Sequence, residues 1–193
     1  MPPPIVLIFT GLVVILNWSK ITQLGPRSSE LKNRISLGDR ILIPSETTTS
    51  KQAGVEAFAK RKYPEAVQRF EASLHSNSND PEAVIYLNNA RFKQHKTLKI
   101  AVSVPISTNP NVAQEILRGV AQAQSDFNQK RNGSDVKLQV EIANDDNNPE
   151  LVKKIAQKWA ADRKILAVIG HNASIASIAA APIYQKSKLV MVT

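Results

Sequence analysis

The stretch ILAVIGHNASIASIAAAP, residues 165–182, decides how this chain is read. Ile165 to Ile169 form an unbroken apolar run, the pattern of a strand covered on both faces. Gly170-His171-Asn172-Ala173 then turns the chain, and from Ser174 a helix of almost wholly small residues follows. Such a corner either makes a tight turn or leaves room for a solute to sit against the backbone.

The same rhythm extends in both directions from this stretch. Upstream, LKIAVSV (98–104) is an apolar, β-branched run, and Thr108-Asn109-Pro110-Asn111 supplies capping chemistry for a helix. That helix carries Val112, Ile116, Leu117, Val120, Gln124 and Phe127 on one face. VKLQVEIAN (136–144) is a second strand, and Asn148-Pro149-Glu150 opens a helix bearing Leu151, Val152, Ile155, Ala156 and Trp159. Downstream, KLVMVT (188–193) is a fourth strand. Three strand–helix–strand units in succession predict an α/β fold, a parallel sheet with right-handed crossovers and helices on both faces. In the spatial order 2-1-3-4, the first and third strands straddle the point where connections leave in opposite directions, where ligands bind in such sheets. The loops there are 105–111 and 171–177, both rich in small hydroxyl and amide side chains and both leading into helix N-termini. Free N–H groups and the positive end of the helix dipole make that place receptive to a carboxylate. Ser174 or Ser177 would offer a hydroxyl; the plainer alternative is that Ser174 only caps its own helix.

Bulk properties narrow the possibilities. The chain has 193 residues, 42% hydrophobic and 21% charged, an ordinary globular composition. Its net charge of +9 is spread along the chain, and the longest basic run is Lys60-Arg61-Lys62, which reads as a solvated helix end. A nucleic-acid binder would gather its charge, so none is expected as a partner. No cysteine is present, which excludes disulfides, thiolate metal sites and a cysteine nucleophile. The seven glycines form no Walker or dinucleotide pattern, and no G-x-S-x-G elbow surrounds Ser174. Asp145 and Asp146 read as braces for a turn and helix start, His171 follows Gly170 at a strand end, and His75 and His95 show no metal spacing. No catalytic residue, cofactor or metal is expected, and the chain is not read as an enzyme.

The N-terminal half is organised differently. Residues 1–19 contain an uncharged segment, nearly all aliphatic from Ile5 to Leu16, read as a transmembrane anchor or an uncleaved signal. The basic residues that follow it, Lys20, Arg27, Lys32 and Arg34, would by charge asymmetry be held in the cytoplasm. Residues 20–50 are a juxtamembrane linker in which RISLGDRILIP predicts a small hairpin around Gly38-Asp39. From 51 to 96 the period is helical: Ala53, Ala57 and Phe58 share one stripe, and Ala66, Val67, Phe70, Ser73 and Leu74 another. Gly54, Ala66 and Phe70, followed by Pro81-Glu82-Ala83 and Tyr86-Leu87-Asn88, stand at spacings that resemble one and a half tetratricopeptide repeats. So few repeats cannot close a core alone, and this all-α hairpin is expected to lean on a neighbour.

Residues 97–193 carry a further resemblance. KIAVSVPIS, LRGVAQAQSDFN, LQVEIANDDNNPE, AVIGHNASIASIAAAPIYQ and KLVMVT, in this order, resemble the first lobe of a type I periplasmic binding protein of the branched-chain amino acid (Leu/Ile/Val) ABC-transporter branch. The resemblance implies a partial ligand-binding lobe, truncated before its next contact loop and without the second lobe that completes the site. It implies that Ser174 meets the carboxylate of an amino acid, flanked by Ala173 and Ile175, with Ser177, Ser107 and Thr108 as further contacts. It also implies ABC permease subunits as partners, a membrane-anchored chain whose soluble part is periplasmic in a bacterium, and hence an anchor orientation at odds with the basic residues after it. The rival readings are a membrane-anchored ligand sensor and a tetratricopeptide-type interaction module.

Overall fold

The computed structural model of the chain describes residues 31–130 and 136–193. The expected anchor lies outside them, and among the described residues no helix is long and apolar enough to cross a membrane. In chain order the elements are β1 (Ile35–Ser36), α1 (Thr49–Ala59), α2 (Tyr63–Ser76), α3 (Pro81–Arg91), β2 (Lys96–Val104), α4 (Pro110–Lys130), β3 (Val136–Asn144), α5 (Pro149–Ala161), β4 (Ile165–Ile169), α6 (Ser174–Ser187) and β5 (Val190–Val192).

The sheet runs β1-β3-β2-β4-β5. The four strands read from the sequence are parallel and lie in the expected order, with β2 and β3 in register from Lys96–Val136 to Val104–Asn144. The fifth strand corrects the expected hairpin. Ile35 and Ser36 pair antiparallel with Ala143 and Ile142 at the edge of β3. The intended second limb bonds elsewhere, because the Glu82 carboxylate accepts the Leu42 and Ile43 N–H groups at 2.6 and 3.3 Å. The Ser36 hydroxyl, which accepts from the Gly38 and Arg40 N–H groups, closes the turn between them.

Parity along the strands assigns the two faces. Val102, Val104, Val140 and Ile142 join Phe58, Phe70, Tyr86 and Leu117 in one buried cluster, so α1–α4 and one face of the sheet share a core. On the opposite face, Trp159 of α5 donates its indole N–H to Glu141 at 2.7 Å, and α6 packs on α5. The helical hairpin does lean on a neighbour, and that neighbour is the sheet.

Local packing explains the small residues of α1 and α2. A methyl group added at Gly54 would fall 2.7 Å from the Phe70 ring, so only glycine lets the two helices meet there. Helix α3 lies inside, with nine of its eleven residues buried. Its polar side chains therefore need partners. Lys51 Nζ sits 2.7 Å from both Asp80 and Glu82, all three side chains fully buried, and the Tyr86 hydroxyl donates to Glu82 at 2.8 Å. Burial pushes the Asp80 carboxyl above its ordinary range even with Lys51 beside it.

Candidate functional site

The loops after β2 and β4 leave adjacent parallel strands, since Val102 is paired with Ile169. Helix α4 departs to one face and α6, packed on α5, to the other, so the two loops border a crevice at the carboxyl rim of the sheet. The corner at Gly170 is the closest approach. Its φ is +107°, and an added methyl group would meet the Ser103 carbonyl oxygen at 2.5 Å, so no other residue fits. The Gly170 N–H donates to Val192 O at 2.8 Å, which joins the corner to the end of β5.

Beneath the corner lies a buried polar knot centred on Asp145. Its carboxylate accepts the Ser103 hydroxyl at 2.8 Å and the Asn147 N–H at 2.9 Å, and its Oδ2 lies 2.6 Å from His171 Nδ1. His171 Nε2 is 3.3 Å from the Tyr184 hydroxyl, with the two rings stacked. Burial, and then the charge of Asp145, push the Tyr184 hydroxyl well above its ordinary range, so it stays protonated as a donor. The knot ties the end of β2, the turn after β3 and the loop after β4 to one carboxylate. His171 is 1% exposed, with both ring nitrogens engaged inside the knot.

Asp146 occupies the rim instead. It pairs with Arg34 at 2.6 Å and accepts the Ser107 N–H at 2.9 Å. Burial pushes this carboxyl up, but the hydrogen bonds from Arg34 and from the Ser107 backbone outweigh it and hold it below the ordinary carboxylate range. The paired acids thus brace loops, as read from the sequence, and among the described residues no cluster suited to a metal occurs.

The six candidate contacts separate into two groups. Ser174 is exposed, at the first position of α6, with Ala173 as the cap residue and no side-chain cap hydrogen bond. The first N–H groups to bond within this turn are those of Ala176 and Ser177, both to Ala173 O. The Ser174 and Ile175 N–H groups come too early in the first turn for an intrahelical acceptor. Ile175 is 60% exposed. Thr108 is also exposed on the opposing loop. Ser177 is engaged: its hydroxyl donates to His171 O at 3.0 Å and lies 3.1 Å from the Thr193 hydroxyl. Ser107 is engaged as well, its N–H by Asp146 and its hydroxyl by the Asn144 amide at 2.8 Å. Three residues of this site were not singled out from sequence: Asn144, Ser103 and Tyr184. Tyr184 could have been found from its place three turns along α6 on the Ala176–Ala180 face.

The sequence profile described as periplasmic binding protein matches residues 97–193. The chain belongs to the periplasmic binding protein family. Members of this family are non-enzymatic binding proteins, and by family the chain is not an enzyme. Among solved structures, the chain is similar to an ABC transporter substrate-binding protein from Desulfitobacterium hafniense in complex with Leu. Identity is 32%, coverage is 50% of this chain and 28% of that one, and the TM-score is 0.45. A second structure of a substrate-binding protein from the same organism gives the same figures. The match spans about a quarter of those proteins' length. No curated protein matches the chain.

Proposed function

We propose that residues 97–193 form one wall of the ligand crevice of an amino-acid-binding component of an ABC transporter. The ligand's carboxylate would sit at the start of α6, against the Ser174 hydroxyl and the Ser174 and Ile175 N–H groups, with Ala173 beside it. Thr108 faces it from the other loop, while Ser107 and Ser177 hold the two loops in shape. The observation that carries this reading is the first turn of α6, which has no side-chain cap and lies after a strand adjacent and parallel to β2. The positive end of a 14-residue helix favours an anion there. Closure around the rest of the ligand, and its amino group, would fall to groups other than these two loops. We place the soluble part in the periplasm, tethered by the N-terminal segment.

One observation favours a second reading, a membrane-tethered sensor. Arg34, within the linker that follows the expected anchor, pairs with Asp146, whose carboxylate also accepts the Ser107 N–H at the crevice rim. A ligand that moves the 105–108 loop would be felt at Arg34.

The test is amide NMR of the full chain titrated with L-leucine, and with L-leucinamide, which lacks the carboxylate. The Ser174 and Ile175 amides are expected to shift with leucine only, and Ser174→Ala to weaken binding by about 1–3 kcal/mol, as for a lost hydrogen bond to a charged group. Equal responses to the two ligands, or an unchanged affinity in Ser174→Ala, would remove the carboxylate seat.

A further inference from the structure

The opposite rim of the sheet, where the parallel strands begin, carries a different chemistry. A cleft of about 380 Å³ opens there, floored by Thr97, Lys99 and Gln139. These three share the strand face of Glu141, which is the α5 side. Its walls are Lys93, just beyond α3, and Arg163 and Lys164, in the turn between α5 and β4. Four cations thus border one cleft, and no carboxylate is among its lining residues.

Lys99 is neutralised, 2.6 Å from Asp162 and 3.8 Å from Glu141. The side chains of Lys93, Arg163 and Lys164 have no such partner among the described residues. Burial, and then the fields of Lys99 and Lys164, push the Lys93 ammonium below its ordinary range. Asp162 and Glu141, the carboxylates at Lys99, reach Lys164 and Lys93 only through their fields, so four cations share two counter-charges and the excess like charges repel. Leu98 and the half-exposed Leu166 line the same space. Arg163 and Lys164 are exposed at the mouth and Lys93 is half-buried, so an anion entering the cleft would meet cations around a partly apolar floor.

We propose that this cleft binds a phosphate-type anion. A carboxylate would satisfy one or two of the three unpaired cations. A phosphate group carries close to two negative charges and three acceptor oxygens, so it can meet Lys93, Arg163 and Lys164 together, with the guanidinium engaging two oxygens at once. The leucines beside it accept an apolar substituent on that phosphate. The group could belong to a free phosphate compound or to a phospholipid whose headgroup carries a phosphomonoester, as phosphatidate does; a phosphodiester headgroup, with one charge and two free oxygens, would not meet all three cations. The site stands apart from the proposed amino-acid crevice and does not depend on it.

The experiment uses the full chain at low ionic strength with three probes: inorganic pyrophosphate, anionic vesicles of phosphatidate and vesicles of phosphatidylcholine. The comparison protein is the double variant Lys93→Gln/Lys164→Gln, whose N-terminal segment is unchanged, so any difference in vesicle binding reports the cleft. These side chains are not fully buried, and a thermal melt checks that the variant folds. Pyrophosphate binding that falls at least tenfold in the variant and weakens with added salt supports the site with a free phosphate as ligand. A tenfold loss confined to anionic vesicles supports it with a headgroup as ligand. Binding of neither, or binding equal in wild type and variant, overturns it. Loss of leucine binding at the other rim would leave these outcomes unchanged, so the two proposals fail separately.

Discussion

The two edges of the sheet are finished in opposite ways. Along the outer edge of β3 every second residue turns its N–H and C=O outward, and each is met. Ile142 and Ala143 pair with β1, and the Asn144 N–H donates to Arg34 O at 2.8 Å. Below them, where β1 has ended, the Asn89 side chain takes over: its amide donates to Val140 O at 2.7 Å and its oxygen accepts the Val140 N–H at 3.0 Å. Asn128 does the same for Leu138, at 3.2 and 2.7 Å. Two asparagines on two helices complete what a longer strand would have done. The β5 edge has no such device among the described residues, and Val190 and Val192 stand 59% and 58% exposed on the strand itself. A closed edge takes its stability from buried hydrogen bonds, while an open edge remains available for another strand.

The largest effect should come from breaking the closed edge. Asn89→Leu keeps the size of the side chain but leaves the Val140 N–H and C=O and the Leu37 carbonyl without a partner. Buried groups left in this way predict a loss of about 2–4 kcal/mol in a urea unfolding curve. A loss no larger than that of a surface substitution would mean that the amide does not complete the edge.

A smaller effect is expected where β1 meets the crevice rim. The folded-state pKa of Asp146 lies below its unfolded value, so its pair with Arg34 adds stability above the unfolded aspartate value of about 3.9 and loses it as pH falls through the folded one. This partly exposed pair should make wild type more stable than Asp146→Asn by about 0.5–1 kcal/mol at neutral pH, the gap closing in acid. Parallel stability curves down to pH 3 would show that the pair contributes nothing.

The open edge should be nearly indifferent. Val190→Lys is expected to change stability by no more than about 0.5 kcal/mol while reducing concentration-dependent association, read by sedimentation. A loss comparable to that of Asn89→Leu would show that β5 is as integrated as β3 and erase the contrast.

Much of this was legible in the residues. The parallel order of β2–β5 follows from three strand–helix–strand units and from the hand of their crossovers, and the crevice loops follow from that order. Helix α3 was legible as a helix but not as an interior one. Asn88 and Asn89 look like ordinary polar helix positions until β3 is brought alongside. Ile35 and Ser36 were legible as a strand but were given a local hairpin partner, because pairing across more than a hundred residues leaves no local period. At the site, Ser174 and Ser177 are equivalent in the sequence. The fold distinguishes them by turning the second onto the His171 carbonyl and leaving the first at the mouth of the helix.

The sequence by itself determined the alternation of elements, the glycine corner at 170 and the placing of small hydroxyl residues at two helix starts. These are local choices, set by backbone sterics and by the period of apolar side chains. Only the tertiary structure decided which hydroxyls stay free, which amides serve as strand, and where three unpaired cations meet. Those outcomes depend on groups far apart in the chain competing for the same partners, and proximity in space is what settles that competition.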